Sequence, residues 1–505
     1  MSRPNIIFLV LDALRKDVAE EEMPMFNELS TSNISFEKAI APSYWSLPSH
    51  ASMFTGQYPH DHQINTDGTG FEDVPLIQSL NKSGYRTYGV SSNTFVSQHY
   101  GFSTDFDEFH YTLSRLFSEA LNVYDPEFKP DSNGKFSPLK RLANVTLAAT
   151  KDNYPIKSYW NILVSGLKKS PISLADVDFV DHPYLDPNPL YSHIPRKRNT
   201  NLIHSILKRE STSNSPFFIF SNYNCMHHPY FPPKELRERE LEFNHTYKDV
   251  KKYNQLAHPA AFLQEFRDSE PSEKFLSAIQ TLYRGEAVSL NNHLTSLIEC
   301  LEEFGLRNNT LLIITSDHGE NLGEIDYRGE RRVGHFESVS DHLLNVPFLV
   351  IHPQLSQEQI NKTASLKNIF KLVQRVASNS TLTNDFISEN IVVEDEVGIS
   401  EHPARMTPIF DQYPNVHPDI INRRAFQHQC VGYYNDLKLV LSTDEPPELF
   451  RDGRKVSIEN CPDQLMSRCR ESLTKLKEAH PLNDAEQCEK LPDQTQTQLE
   501  HLGYL

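Results

Sequence analysis

Two apolar runs that each end in an acid constrain this chain more than any other feature. Ile6-Ile7-Phe8-Leu9-Val10-Leu11 stops at Asp12, and Thr310-Leu311-Leu312-Ile313-Ile314-Thr315 stops at Ser316-Asp317-His318. Both runs are short, continuous and rich in β-branched residues, the pattern of a strand buried on both faces. A carboxylate at the end of such a strand is costly to bury unless a cation compensates it. Further strands are expected at 85–91, 217–220, 310–315 and 347–351, with helical periodicity at 76–82 and over 275–304. This alternation predicts an α/β fold with a doubly wound, mostly parallel sheet. In such sheets ligands bind at the carboxyl ends of the strands.

The 505 residues suit one large domain with a smaller one attached, and 38% hydrophobic residues are enough for a sizeable core. We expect the large domain over 1–354, with an irregular, mainly helical insertion at 109–199. A smaller C-terminal α+β domain is expected over 355–505, with strands at 430–434 and 437–442 and a final helix at 464–479. The formal charge of −18 disfavours a nucleic-acid partner, and an anionic ester needs a cation to enter. The apolar run after Met1 is too short for a signal-peptide core or a membrane span, so a cytoplasmic location is expected. Six cysteines without CxxC pairs read as reduced thiols.

Three segments carry chemistry. Asp12 ends the first strand, with Arg15 close behind as a source of positive charge or a structural salt bridge. Asp317 and His318 follow the 310–315 strand, and Gly319 permits a tight turn. Oxygen and nitrogen ligands of this kind suit one divalent ion: Ca²⁺, Mg²⁺ or Mn²⁺. The third segment is Tyr44-Trp45-Ser46-Leu47-Pro48-Ser49-His50. It places Ser46 at a helix N-terminus, where backbone N–H groups stabilise an anion and a metal can activate the hydroxyl. Taken singly, each segment also reads as an ordinary capped helix start.

Together the segments resemble the sulfatase family of the alkaline phosphatase superfamily. Ser46-x-Pro48-Ser49 through Thr55-Gly56 is similar to the signature around the family's nucleophile, which is Cys or Ser. Pro4-Asn5 to Asp12 and Ser316-Asp317-His318-Gly319-Glu320 resemble its two metal-binding strands. Gly84-Tyr85-Arg86-Thr87, residues 283–290, and Gly334-His335 ahead of Val346-Pro347 fall in family order, over roughly residues 4–352. The resemblance implies a hydrolase of sulfate or related anionic esters, with a sulfated or phosphorylated carbohydrate as the substrate it suggests, and an alkaline-phosphatase-like fold. Asp12, Ser46, Asp317 and His318 would hold its metal. It also implies that His227, in the segment before Pro229, and His335 face the substrate, with His335 as leaving-group acid. His228, His60 and His62 carry no implied role.

The departures matter as much. The family's second aspartate is Ala13, and its arginine four positions after the nucleophile is His50. That arginine belongs to the signal for conversion to formylglycine, so Ser46 is expected to remain serine, with His50 orienting it. Asn93 stands where a Gly-Lys-Trp-His segment is usual and could donate to a substrate oxygen. An unmodified serine cannot release its ester by elimination to an aldehyde. A phosphodiesterase, phosphonate monoester hydrolase or phosphotransferase is therefore the rival reading. Ala13 and His50 also admit a non-catalytic binding protein on a degenerate scaffold, against which the retention of Ser46, Asp317 and His318 argues.

Overall fold

A computed structural model describes residues 3–65, 69–112, 138–151, 194–233, 247–266, 269–335, 338–379, 381–404 and 427–481, with 155 and 159. Its centre is an eight-stranded sheet. In chain order the strands are β1 (Asn5–Leu11), β2 (Ile34–Phe36), β3 (Arg86–Ser91), β4 (Glu108–Tyr111), β5 (Phe217–Tyr223), β6 (Thr310–Thr315), β7 (Phe348–Ile351) and β8 (Glu358–Ile360). Their spatial order is β8-β2-β7-β6-β1-β5-β3-β4. Strand β1 lies between β5 and β6 and is parallel to both, while β7 runs antiparallel to its neighbours. The doubly wound, mostly parallel expectation holds.

Alternation along β1 explains why one strand needs two cores. Ile6, Phe8 and Val10 enter one apolar cluster, and Ile7, Leu9 and Leu11 enter the other. Helices cover both faces, among them α1 (Ser46–Thr55), α2 (Ile194–Glu210) and the long α3 (Glu273–Glu303). The N-cap of α3 is Ser272, whose hydroxyl accepts from the Phe275 amide, and the helix buries Leu282, Tyr283, Leu290 and Leu294.

A second, five-stranded antiparallel sheet comprises β9 (Gly398–His402), β10 (Gln429–Tyr434), β11 (Leu437–Ser442), β12 (Glu448–Arg451) and β13 (Arg454–Val456). The helix α5 (Asp463–Ala479) packs on it through Leu465, Cys469 and Leu476. Before this sheet, β8 and the helix α4 (Ile369–Ala377) belong to the first sheet and its core. We therefore propose that the division between domains falls between Ile391 and Gly398, later than the expected 354/355. Residues 109–111 of the expected insertion form part of the edge strand β4, and most of the remainder lies outside the described residues. Cys225, Cys300, Cys430, Cys461 and Cys469 are free thiols, and Cys488 lies outside the described residues. No helix among the described residues is long and apolar enough to cross a membrane.

Candidate active site

Strand register brings the distant segments level. Val10 lies beside Asn222 of β5 and Thr315 of β6, so Asp12 and Asp317 emerge together from the same edge of the sheet. The turn after β1 is tied down by three bonds. Ala13 N donates to Asp317 Oδ1 at 3.1 Å, Leu14 N to Ser316 Oγ at 2.9 Å, and the Tyr283 hydroxyl to Ala13 O at 2.7 Å. Gly319 is needed for the opposing turn, because a Cβ there would sit 1.8 Å from the His342 carbonyl oxygen.

Ser46 is the first residue of α1, whose opposite end closes on Gly56 in the left-handed conformation. Ser49 Oγ donates to Asp317 O at 2.8 Å and so anchors the helix start against the second motif. The Ser46 hydroxyl lies 3.3 Å from His318 Nε2 and 3.5 Å from Asp12 Oδ2, and it accepts from Asn93 Nδ2 at 3.0 Å. Asp12, Ser46, Asp317 and His318 are fully buried.

The hydrogen bonds leave one atom of each acidic or imidazole group uncommitted. Asp12 Oδ2 accepts from Asn93 and from Asn222 Nδ2 at 2.9 Å, whereas Oδ1 has no partner. Asp317 Oδ1 takes the Ala13 amide, and Oδ2 has no hydrogen-bond partner. His318 Nδ1 donates to Gly319 O at 2.8 Å, which in the neutral ring leaves a lone pair on Nε2. The three residues each offer a ligand atom, all within 4.8 Å of one another. Two buried carboxylate oxygens without hydrogen bonds, beside an imidazole nitrogen that faces the Ser46 hydroxyl, fit a divalent cation.

The electrostatics agree. Burial, with the Asp317 charge next, pushes the Asp12 carboxyl up to about 7. Burial also works against an ionised Asp317, but the neighbouring His318 and His50 outweigh it and hold that carboxyl below its ordinary value. Burial disfavours a charged His318, and the Asp317 and Asp12 carboxylates reverse the sign and raise it. A cation is what would let both carboxylates ionise together.

The remaining expected residues fall into place around this centre. His50 Nδ1 donates to Ser46 O at 2.8 Å, and its Nε2 lies 3.1 Å from Asn222 Nδ2; burial lowers its pKa. It holds the Ser46 backbone as a neutral ring. His227 donates from Nδ1 to His228 O, and burial followed by the nearby His335 lowers its pKa to about 3. The His335 ring lies 4.4 Å from that of His318 and 4.9 Å from that of His227, and its Nδ1 is 3.1 Å from Glu320 Oε1. Arg15 is engaged by Asp17, Glu324 and the Glu320 carbonyl, the structural salt bridge that its position allowed. His60 pairs with Glu401, and His62 lies 3.0 Å from Ser52 Oγ. Sequence reasoning missed Asn222 and Glu320. Asn222 interrupts the apolar β5 level with Val10, and Glu320 follows the second motif directly, but neither type of residue announces its role.

The Sulfatase family model matches residues 4–378. The chain belongs to the sulfatase family. Mouse (Mus musculus) iduronate 2-sulfatase is 24% identical to it over 348 residues, covering 63% of this chain and 55% of that protein. The first curated sulfatase relatives are matched over 55%, 62% and 66% of their own lengths. Among solved structures, a phosphonate monoester hydrolase from Silicibacter pomeroyi shares the sulfatase-like fold with a TM-score of 0.60 at 17% identity, over 96% of this chain and 97% of that one. A 2-O GAG sulfatase aligns with a TM-score of 0.55 at 12% identity, over 98% of this chain and 96% of that one.

Proposed function

We propose that this sulfatase-family chain is a metal-dependent hydrolase that cleaves a sulfate or related anionic ester with Ser46 as nucleophile. One observation carries the reading: the Ser46 hydroxyl lies 3.3 Å from His318 Nε2, within a buried cluster whose carboxylates each keep one oxygen without a hydrogen-bond partner. Asp12 Oδ1, Asp317 Oδ2 and His318 Nε2 would hold a divalent ion, which neutralises an ester oxygen and lowers the pKa of the serine hydroxyl.

The chain's own groups divide the remaining work. Asn93 Nδ2 and the His50 bond to Ser46 O fix the hydroxyl and its backbone. The nearest carboxylate acceptor for the hydroxyl proton is Asp12 Oδ2 at 3.5 Å. As Ser46 Oγ bonds to sulfur or phosphorus, the bond to the alcohol oxygen breaks, and that oxygen takes a proton from His335. His335 Nδ1 lies 3.1 Å from Glu320 Oε1, which orients the ring. Water then cleaves the ester on Ser46. A sulfated carbohydrate is the substrate class suggested by proteins named as an iduronate 2-sulfatase and a 2-O GAG sulfatase.

His50 favours the second reading, phosphodiester or phosphonate ester hydrolysis by an unmodified serine. It stands in place of the arginine of the conversion signal, and both its ring nitrogens lie within hydrogen-bond range of Ser46 O and Asn222. The test is a panel of aryl sulfate, phosphate diester and phosphonate substrates, each with and without Ca²⁺, Mg²⁺ and Mn²⁺. Ser46→Ala is expected to lower kcat by about 10³-fold or more. Unchanged turnover in that variant overturns the proposal. Mass spectrometry of residue 46 separates the two readings: an aldehyde selects sulfatase chemistry, and intact serine with phosphoester turnover selects the other. No turnover of any substrate in the panel by the wild type, with metal content unchanged in Asp317→Ala, would leave a binding protein.

A further inference from the structure

We propose that Asn222 is a positioning residue of the metal centre: together with Asn93 it occupies one oxygen of Asp12, so that a cation meets this carboxylate through the other oxygen alone. The inference rests on the metal-dependent reading above. Asn222 is fully buried, next to Val10 on one side and Ser91 on the other. Its Nδ2 donates to Asp12 Oδ2 at 2.9 Å and lies 3.1 Å from His50 Nε2.

The orientation of both amides follows from their partners. His50 Nδ1 must carry a hydrogen to bond Ser46 O, so in the neutral ring Nε2 accepts, and Asn222 must present its NH₂ group to both His50 and Asp12. Asn93 is fixed from its other end, where Oδ1 accepts from the Phe95 amide at 2.7 Å. That bond turns Nδ2 toward Asp12 Oδ2 and Ser46 Oγ. One carboxylate oxygen thus receives two amide donors, while its twin receives none. Asn222 also links the nucleophile's backbone to the ligand carboxylate through His50.

This arrangement has a chemical consequence. Ca²⁺ favours six to eight oxygen ligands and readily takes both oxygens of a carboxylate. Here bidentate contact by Asp12 would require the loss of two amide bonds, Ala13 brings no second carboxylate, and His318 offers nitrogen. A smaller ion that accepts imidazole, such as Mn²⁺, suits this set better than Ca²⁺.

The test uses the full chain, stripped of metal with a chelator. Dissociation constants for Mn²⁺ and for Ca²⁺ are measured by calorimetry on the wild type, Asn222→Ala, Asn93→Ala and the double variant. Each single substitution is expected to weaken Mn²⁺ binding by about 10–100-fold. In the double variant the freed Oδ2 can also bind, so the preference for Mn²⁺ over Ca²⁺ should fall below that of the wild type. A purely structural role would lower the melting temperature and leave this preference unmoved. Asn222→Ser takes the place of the alanine variant if that variant does not fold. Wild-type Mn²⁺ affinity in both single variants, with an unchanged ion preference in the double, overturns the inference and leaves the metal-dependent reading intact. A wild type that binds neither ion overturns both.

Discussion

Ala13 carries a φ of 59°, a left-handed conformation that costs an L-residue with a side chain roughly 1–2 kcal/mol. The bonds from Ala13 N to Asp317 and from Tyr283 to Ala13 O hold it there. Ala13→Gly should relieve the strain while adding freedom to the unfolded chain, for a net gain of about 0.5–1 kcal/mol in denaturant unfolding. Destabilisation by that variant would mean that the buried methyl group outweighs the strain. At this scale Asp12, Ser46, Asp317 and His318 were legible because each is a polar group at the end or start of an apolar element. Asn222 was not, because a neutral amide inside a strand has no sequence mark until the neighbouring strands set its height. The alternatives for Arg15 were settled by its acidic partners, Glu324 among them, which lies more than three hundred residues away in the chain.

Among elements, buried strands read best. The run 310–315 and the hairpin strand 437–442 match their expected limits, and 217–220 extends only to Tyr223. The short strands Ile34–Phe36, between β8 and β7, and Gly398–His402, at the edge of the second sheet, were not foreseen. Their pairing comes from distant partners and not from a long local pattern. The most demanding local element is the turn after β6. With a Cβ at residue 319 meeting a carbonyl oxygen, Gly319→Ala should cost about 1–3 kcal/mol in denaturant unfolding and weaken divalent-ion binding by shifting His318. Wild-type stability in that variant would show that the two turns can part without loss.

At the level of the whole molecule, the junction between the two sheets is polar. Glu401 on β9 is fully buried; its carboxylate accepts from the His60 amide and lies 2.5 Å from both His60 Nδ1 and Ser472 Oγ of α5. Burial disfavours a charged His60, but the bond to Glu401 and the charges of Glu401 and Asp61 raise its pKa above 6.5. A raised histidine pKa adds stability that is complete below the unfolded value and is lost as pH rises through the folded one. Thermal unfolding should therefore show the junction weakening as pH rises above 6.5, and Glu401→Gln should flatten that dependence. Equal pH dependence in variant and wild type would sink the assignment. The α/β class and the two-part layout were legible in the chain; the later boundary we propose rests on residues 358–391, which look like loosely patterned tail in the sequence but include β8 and α4 of the first sheet and core.

The strip that leads into Ser46 is gripped from beyond the residues that the family model matches. Glu401 N bonds Pro42 O at 2.8 Å, and the Tyr44 ring stacks 4.7 Å from that of His402, two residues before Ser46. All four expected ligand residues lie within 4–378, yet the approach to the Ser46 hydroxyl is framed by residues after 397. A change at Glu401 or His402 would thus be felt in the segment that leads to Ser46, and a comparison restricted to 4–378 would overlook that grip.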